Sequence, residues 1–205
     1  MRLALCVALW CLSASAMAET ISFDADAVGR SPANWTCGAT GRGAPKWTVE
    51  PDPSASGGKA LRQSGSANFP WCVKSNTALT DGWVEAKFKP LSGKEDQAGG
   101  VVWRWKDGDN YYVARANALE NNVSLYYTAR GVRKILKYVD APVSVGQWHT
   151  LRVEFAGTKI TVSLDGKRYM DFSDDHIAGA GSVGVWTKAD SVTAFSELAY
   201  QAARP

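Results

Sequence analysis

The segment covering residues 98–130, A-G-G-V-V-W-R-W-K-D-G-D-N-Y-Y-V-A-R-A-N-A-L-E-N-N-V-S-L-Y-Y-T-A-R, decides the fold. It reads as three β-strands over 99–106, 110–118 and 122–130, joined by two turns. The warrant is a period of two, because successive side chains of a strand point to opposite faces. On the third strand Val123, Leu125, Tyr127 and Ala129 form an apolar row, and Asn122, Ser124, Tyr126 and Thr128 form a polar one. On the second, Tyr111, Val113, Arg115 and Asn117 share a face, opposite Tyr112, Ala114 and Ala116. The small alanines suit close packing against another sheet, which leaves the Arg115 face to solvent or ligand. On the first strand, Val102 and Arg104 oppose Val101, Trp103 and Trp105. Two registers stay open there. An even hairpin loop sets Arg104 beside Arg115 and Asn117; an odd one sets Trp103 and Trp105 there, since a one-residue slip turns every side chain over.

The same period continues outward. Val84, Ala86 and Phe88 alternate with Trp83, Glu85 and Lys87 within 81–90, and His149, Leu151, Val153 and Phe155 with Thr150, Arg152 and Glu154. Turn signals recur at Asp81-Gly82, Asp107-Gly108, Arg130-Gly131, Ala156-Gly157 and Asp165-Gly166; the last is a two-residue hairpin signal, since both positions tolerate positive φ. Short strands at such spacing predict an all-β, two-sheet antiparallel jelly-roll sandwich. No stretch reads as a helix longer than one turn. Residues 24–58 are rich in Gly, Pro, Ser and Ala, with short strands expected at 20–23 and 46–50, and are expected to cover a sheet edge.

Residues 1–18 read as a cleaved export signal: Arg2, an apolar run over 3–12, and small residues at Ala16 and Ala18. The run is shorter than the roughly 20 residues that span a bilayer. Residues 19–205 are then expected to form one exported β-domain, periplasmic or extracellular, without a membrane span and monomeric. Removing Arg2 from 23 basic residues against 20 acidic ones leaves a net charge of +2, scattered singly. That distribution lacks the dense basic stripe of nucleic-acid binders. Of four cysteines only Cys37 and Cys72 outlast the leader. In an oxidising compartment they are expected to be joined, the alternative being a buried free pair. Zinc wants four ligands, so two isolated cysteines do not read as a metal site.

A face carrying Arg, Asn and Tyr suits a polar ring. Arg supplies a planar fork of donors and Asn both donor and acceptor, while Trp or Tyr offers a flat platform to the C–H face of a sugar. The candidate contacts are Arg104, Tyr111, Arg115, Asn117, Asn122 and Tyr126. The alternative is an ordinary solvated surface. A glycosidase would need two carboxyls about 5–10 Å apart. Glu85 and Glu154 alternate with Lys or Arg and read as ion-paired surface; Glu95, Asp96, Asp107, Asp109, Glu120, Asp171, Asp174 and Asp175 are loop acids that the sequence does not pair. His149 reads as a core histidine and His176 as a loop residue. Asp24 and Asp26 with loop carbonyls could hold a structural Ca²⁺, the alternative being that they cap turns. Asn34-Trp35-Thr36 and Asn122-Val123-Ser124 are glycosylation sequons.

The run R-W-K-D-G-D-N-Y-Y-V-A-R-A-N-A-L-E-N-N-V-S-L-Y, then W-H-T-L-R-V-E-F-A-G, D-G-K and G-S-V-G-V-W-T-K-A-D-S-V-T-A-F, resembles the concanavalin A-like jelly rolls. More narrowly it is similar to a secreted bacterial group described as 3-keto-disaccharide hydrolases or glycoside hydrolases. The resemblance implies a ligand surface on a concave sheet, with Arg104, Arg115, Asn117 and Asn122 as contacts, and hydrolysis of a glycoside. The E-x-D-x-x-E strand of the laminarinase-type glucanases is absent: its nearest counterpart, Glu50-Pro51-Asp52-Pro53-Ser54-Ala55, ends in alanine and carries two prolines unsuited to a central strand. Three functions remain open: a saccharide-binding module, a glycoside hydrolase using two loop carboxylates, and an envelope interaction protein without a sugar ligand.

Overall fold

Alternation sorts each strand into a side that meets a second sheet and a side that does not, and two antiparallel sheets pack face to face. The computed structural model describes residues 17–203, so the expected leader lies outside the described residues except for Met17 and Ala18. Among the described residues there are fifteen strands and no helix. The first sheet runs β13 (Lys167–Ser173), β12 (Lys159–Leu164), β11 (His149–Ala156), β6 (Gly82–Ser92), β15 (Val192–Ala202), β4 (Lys59–Gln63), β3 (Trp47–Pro51). A short β1 (Glu19–Ser22) pairs with β15 beyond the end of β4. The second sheet runs β10 (Val132–Asp140), β9 (Asn122–Ala129), β8 (Asn110–Asn117), β7 (Ala98–Asp107), β14 (Ser182–Trp186), β5 (Ser66–Lys74), β2 (Trp35–Ala44).

One apolar cluster fills the space between the sheets. Val84, Ala86 and Phe88 of β6 and Leu151, Val153 and Phe155 of β11 meet Trp103, Tyr112, Ala114, Ala116, Val123 and Leu125 of β7 to β9. Trp103 stacks on Tyr112 at 5.2 Å and on Phe155 at 6.0 Å. Phe88 lies so close to β7 that a Cβ on Gly99 would come 2.1 Å from its ring, which fixes glycine there. The hairpins at Asp165-Gly166 (φ 51° and 77°) and Arg130-Gly131 (52° and 74°) are left-handed at both central residues, as a two-residue turn between twisted strands requires.

Two features depart from the expectations. The segment expected to be loose carries a ten-residue strand, β2, paired with β5 along most of its length. Its glycines hide it from pattern reading, yet Gly38 is needed: a Cβ there would sit 2.8 Å from the Trp71 ring. Cys37 and Cys72 face each other across this pair and form a disulfide. The second departure is in β7. Its pairing with β8 runs from Ala98↔Asn117 to Trp103↔Tyr112 and resumes only at Asp107↔Asn110, with Arg104 left-handed at φ 46°. This bulge realises neither open register. Trp103 enters the core, while Trp105 joins the outer face against Trp71 at 5.3 Å. Arg104 stays on the inner side, where its guanidinium donates to the carbonyls of Thr80, Gly157 and Ile177 and to Asp81 Oδ1. The expected placement of Arg104 beside Arg115 is therefore corrected: it closes one end of the sandwich.

Candidate functional site

The outer face of the second sheet is ordered by register. One row crosses it from Tyr138 through Ser124, Arg115, Gly100 and Trp186 to Trp71. At one end lies a charged network. Asp96, fully buried, accepts from Arg115 Nη1 (3.1 Å), from Asn117 Nδ2 (2.6 Å) and from the Lys188 ammonium. Arg115 Nη2 donates to Glu120 and to Asn122 Oδ1 (3.2 Å). Asn122 Nδ2 in turn donates to Glu120 (2.6 Å) and to the Tyr138 hydroxyl (3.2 Å), and Ser124 Oγ donates to Asn122 Oδ1 (2.9 Å). Burial alone would raise the Glu120 pKa, but the Asn122 bond and the Arg115 and Lys188 charges outweigh it and hold the carboxyl below its ordinary range. The loop that supplies Asp96 is pinned by Asp190, whose carboxylate accepts the amides of Lys94, Glu95 and Asp96 at 2.7, 3.0 and 3.1 Å.

Beside the network lies a groove of about 470 Å³, lined among others by Arg42, Asn68, Phe69, Glu95, Arg133 and Lys188. Its aromatic wall is built from strands distant in sequence. Phe69 stacks on Trp186 with centroids 6.1 Å apart, and the Arg133 guanidinium lies 4.5 Å from the Phe69 ring and 4.2 Å from the Tyr126 ring. Beneath Trp186, a Cβ on Gly100 would come 2.7 Å from the Ala114 carbonyl oxygen, so the two strands approach closely there.

The sequence-predicted residues distribute as follows. Arg115, Asn117 and Asn122 share one cluster on this face, but they are its buried floor and not an open surface, because the Asp96 loop and Lys188 cover them. Tyr111 is buried too, its hydroxyl bonded to that of Thr40 at 2.8 Å. Tyr126 packs under Arg133, and Arg104 is elsewhere. The sequon at Asn122 lies on a side chain with no exposure. The groups that reach solvent are Lys188, Glu120, Arg133, Phe69 and Tyr138, none of them named as a contact. The hairpin at Arg130-Gly131 was the available signal for Arg133. Phe69 and Lys188 had none.

The other candidates lie apart. The backbone carbonyls of Asp24 and Asp26 accept the Lys59 ammonium at 2.7 and 2.9 Å, and Asp26 Oδ1 accepts the Ala33 amide. A divalent cation would have to displace Lys59, and no group of three or more His, Cys, Asp or Glu suited to a metal occurs among the described residues. Glu85 and Glu154 both pair with Arg152 on the first sheet's outer face. His149 is buried between Asp165 (2.7 Å) and the Ser144 backbone. His176 stacks on Tyr127 and bonds Asp174.

No protein-family model and no curated protein matches the chain. Solved structures do. The carbohydrate binding module CBM66 from Bacillus subtilis superposes with a TM-score of 0.62 at 21% identity, over 80% of this chain and 92% of that one. The shared fold is a two-sheet antiparallel jelly-roll sandwich. The β-glucanase of Bacillus licheniformis gives 0.61 at 13% identity, over 93% and 100%. A Bacillus subtilis protein of unknown function with a galectin-like fold gives 0.59 at 10%, over 82% and 89%. At these identities the likeness is one of architecture, and function has to be argued from the groove itself.

Proposed function

We propose that this protein is an exported, non-catalytic carbohydrate-binding module that seats a saccharide in the groove beside Phe69 and along the Lys188–Glu120–Tyr138 edge. The observation that carries this reading is the Asp96–Arg115–Glu120 network. It holds exposed polar ends rigidly from a buried base, and sugar hydroxyls need donors and acceptors at fixed positions. A prepositioned polar group loses little entropy on binding. Phe69 and Tyr138 supply flat apolar area next to it, suited to the C–H face of a pyranose.

The same network argues against hydrolysis. A general acid must hold its proton near the working pH, which calls for a raised carboxyl pKa. Glu120 is shifted the other way. Asp96 is enclosed by Arg115, Asn117 and Lys188, with no access to a glycosidic oxygen. The hydrolase reading therefore rests on the resemblance to the 3-keto-disaccharide hydrolase group and on fold relatives such as the β-glucanase. The leader-like sequence and the Cys37–Cys72 bond support export to an oxidising compartment.

The test is calorimetry of the processed protein against a panel of plant, algal and bacterial glycans, with product analysis of each mixture. We expect binding without bond cleavage, and Phe69→Ala and Lys188→Ala should each weaken it about ten-fold, the scale of one aromatic or charge-assisted contact. Sugar release that Glu120→Gln abolishes would replace the module with an enzyme. Silence from every glycan would leave the envelope-interaction reading in its place.

A further inference from the structure

The Arg133 guanidinium forms no ion pair among the described residues. It lies on β10, opposite Thr128 on the outer face, and lines the groove. Phe69 and Tyr126 flank it at 4.5 and 4.2 Å, and Trp186 lies 5.6 Å away. No carboxylate among the described residues comes within ion-pair distance of it, and its Nη1 is buried without a hydrogen-bond partner. An arginine presents five N–H donors in a planar fork, and three aromatic rings lie close to this one without offering it an acceptor oxygen. Arg115, the cation whose charge acts on it, is already shared between Asp96 and Glu120.

The remaining charges in the groove are mostly of the same sign. Arg42 is exposed and forms no ion pair among the described residues, and Lys188 is neutralised by Asp96 from below. Glu95 is the single acid in the lining. A neutral sugar placed here would desolvate Arg133 further and return only dipoles. A partly buried cation without a counter-charge is costly, and a ligand anion removes that cost. Burial already lowers the Arg133 pKa, the direction expected of a cation short of solvent and partners.

From this geometry we propose that the groove selects anionic saccharides, the Arg133 fork taking a carboxylate or sulfate oxyanion on the sugar while Phe69 and the Lys188–Glu120 edge hold the ring. The proposal rests on the saccharide reading above and narrows it to a substrate class. Bidentate geometry is what Arg offers and Lys does not. The neighbouring rings add to the selection, because they confine the guanidinium before the ligand arrives.

The experiment titrates the intact protein with two pairs of oligosaccharides of equal length: galacturonan with its fully methyl-esterified form, and a sulfated galactan with its desulfated form. At low salt we expect galacturonan or sulfated galactan to bind at least ten-fold more tightly than its uncharged counterpart, the scale of one charge-assisted contact. That preference should shrink from 20 to 200 mM salt, as exposed charges are screened. Which acidic set wins identifies the oxyanion as carboxylate or sulfate. Arg133→Gln should erase the preference while leaving the melting temperature near the parent's, Arg133→Lys should restore only part of it, and Arg152→Gln on the opposite sheet should leave it intact. Equal affinity for charged and uncharged partners, or a preference that survives Arg133→Gln, overturns this proposal and leaves the saccharide reading standing. No binding to any saccharide of either class overturns both.

Discussion

Replacing Arg115 with methionine tests whether the charged network is the structural base of the groove. Methionine keeps most of the volume and removes every donor. The Arg115 side chain is 3% exposed and that of Asp96 is 0% exposed. Three hydrogen bonds disappear, to Asp96, Glu120 and Asn122. Breaking a buried ion pair by deleting one partner costs about 3–5 kcal/mol, because the other charge stays behind in a poor solvent. Here Asp96 keeps Lys188 and Asn117, so the lower end, about 3 kcal/mol, applies. In a domain of this size 1 kcal/mol moves the melting temperature by about 2–4 °C, so Arg115→Met should melt about 6–12 °C below the parent. Scanning calorimetry at neutral pH reads this directly. The double variant Arg115→Met, Asp96→Leu removes the stranded charge as well, and apolar replacement of a whole buried pair is often neutral or stabilising. It should therefore melt above the single variant. A single variant that melts within 2 °C of the parent, or a double variant lower than the single, would refute the account of Asp96 as a buried charge that Arg115 must neutralise.

Three further outcomes are expected. Cys37→Ala with Cys72→Ala opens a loop of 35 residues and should cost about 3–4 kcal/mol in the chain-entropy picture, read as a lower urea midpoint against the oxidised parent. The Glu120 carboxyl has a folded pKa below its unfolded value, so its contribution is present above about pH 4.3 and lost as the pH falls through the lower folded value. Glu120→Gln should flatten the stability-versus-pH curve across that acid window and leave its slope near neutral pH unchanged; an unaltered acid slope would contradict the assignment. Arg104→Ala, which strands three carbonyls at the end of the sandwich, should lower the melting temperature about as much as Arg115→Met yet leave glycan affinity at the parent level, since it lies on the other side of β7.

What could be read from the chain and what could not divide along a physical line. The inward rows of β8 and β9, and the opposition of Val84, Ala86 and Phe88 to Trp83, Glu85 and Lys87, follow from alternation within ten residues, and they stand in the fold as expected. Asp165-Gly166 stands for the same reason: a two-residue turn carries its own conformational demand. The bulge at Arg104 does not, because its left-handed backbone is held by acceptors from around Thr80, Gly157 and Ile177, which only the finished sandwich brings together. β2 escaped because its glycines read as loop, whereas Gly38 makes room for Trp71, Gly41 for Asn68 and Gly43 for the Ser66–Ala67 backbone. The site divides in the same way. Alternation puts Arg115, Asn117, Asn122 and Tyr126 on one face, but polarity says which side a residue takes and not whether something lies over it. Their cover comes from Asp96 and Lys188, 92 residues apart in the chain and joined by one ion pair. A row of polar side chains on an outer strand face can thus be an inner layer covered by residues distant in the chain, and the saccharide proposal is tested at Phe69, Arg133 and Lys188, which cover it.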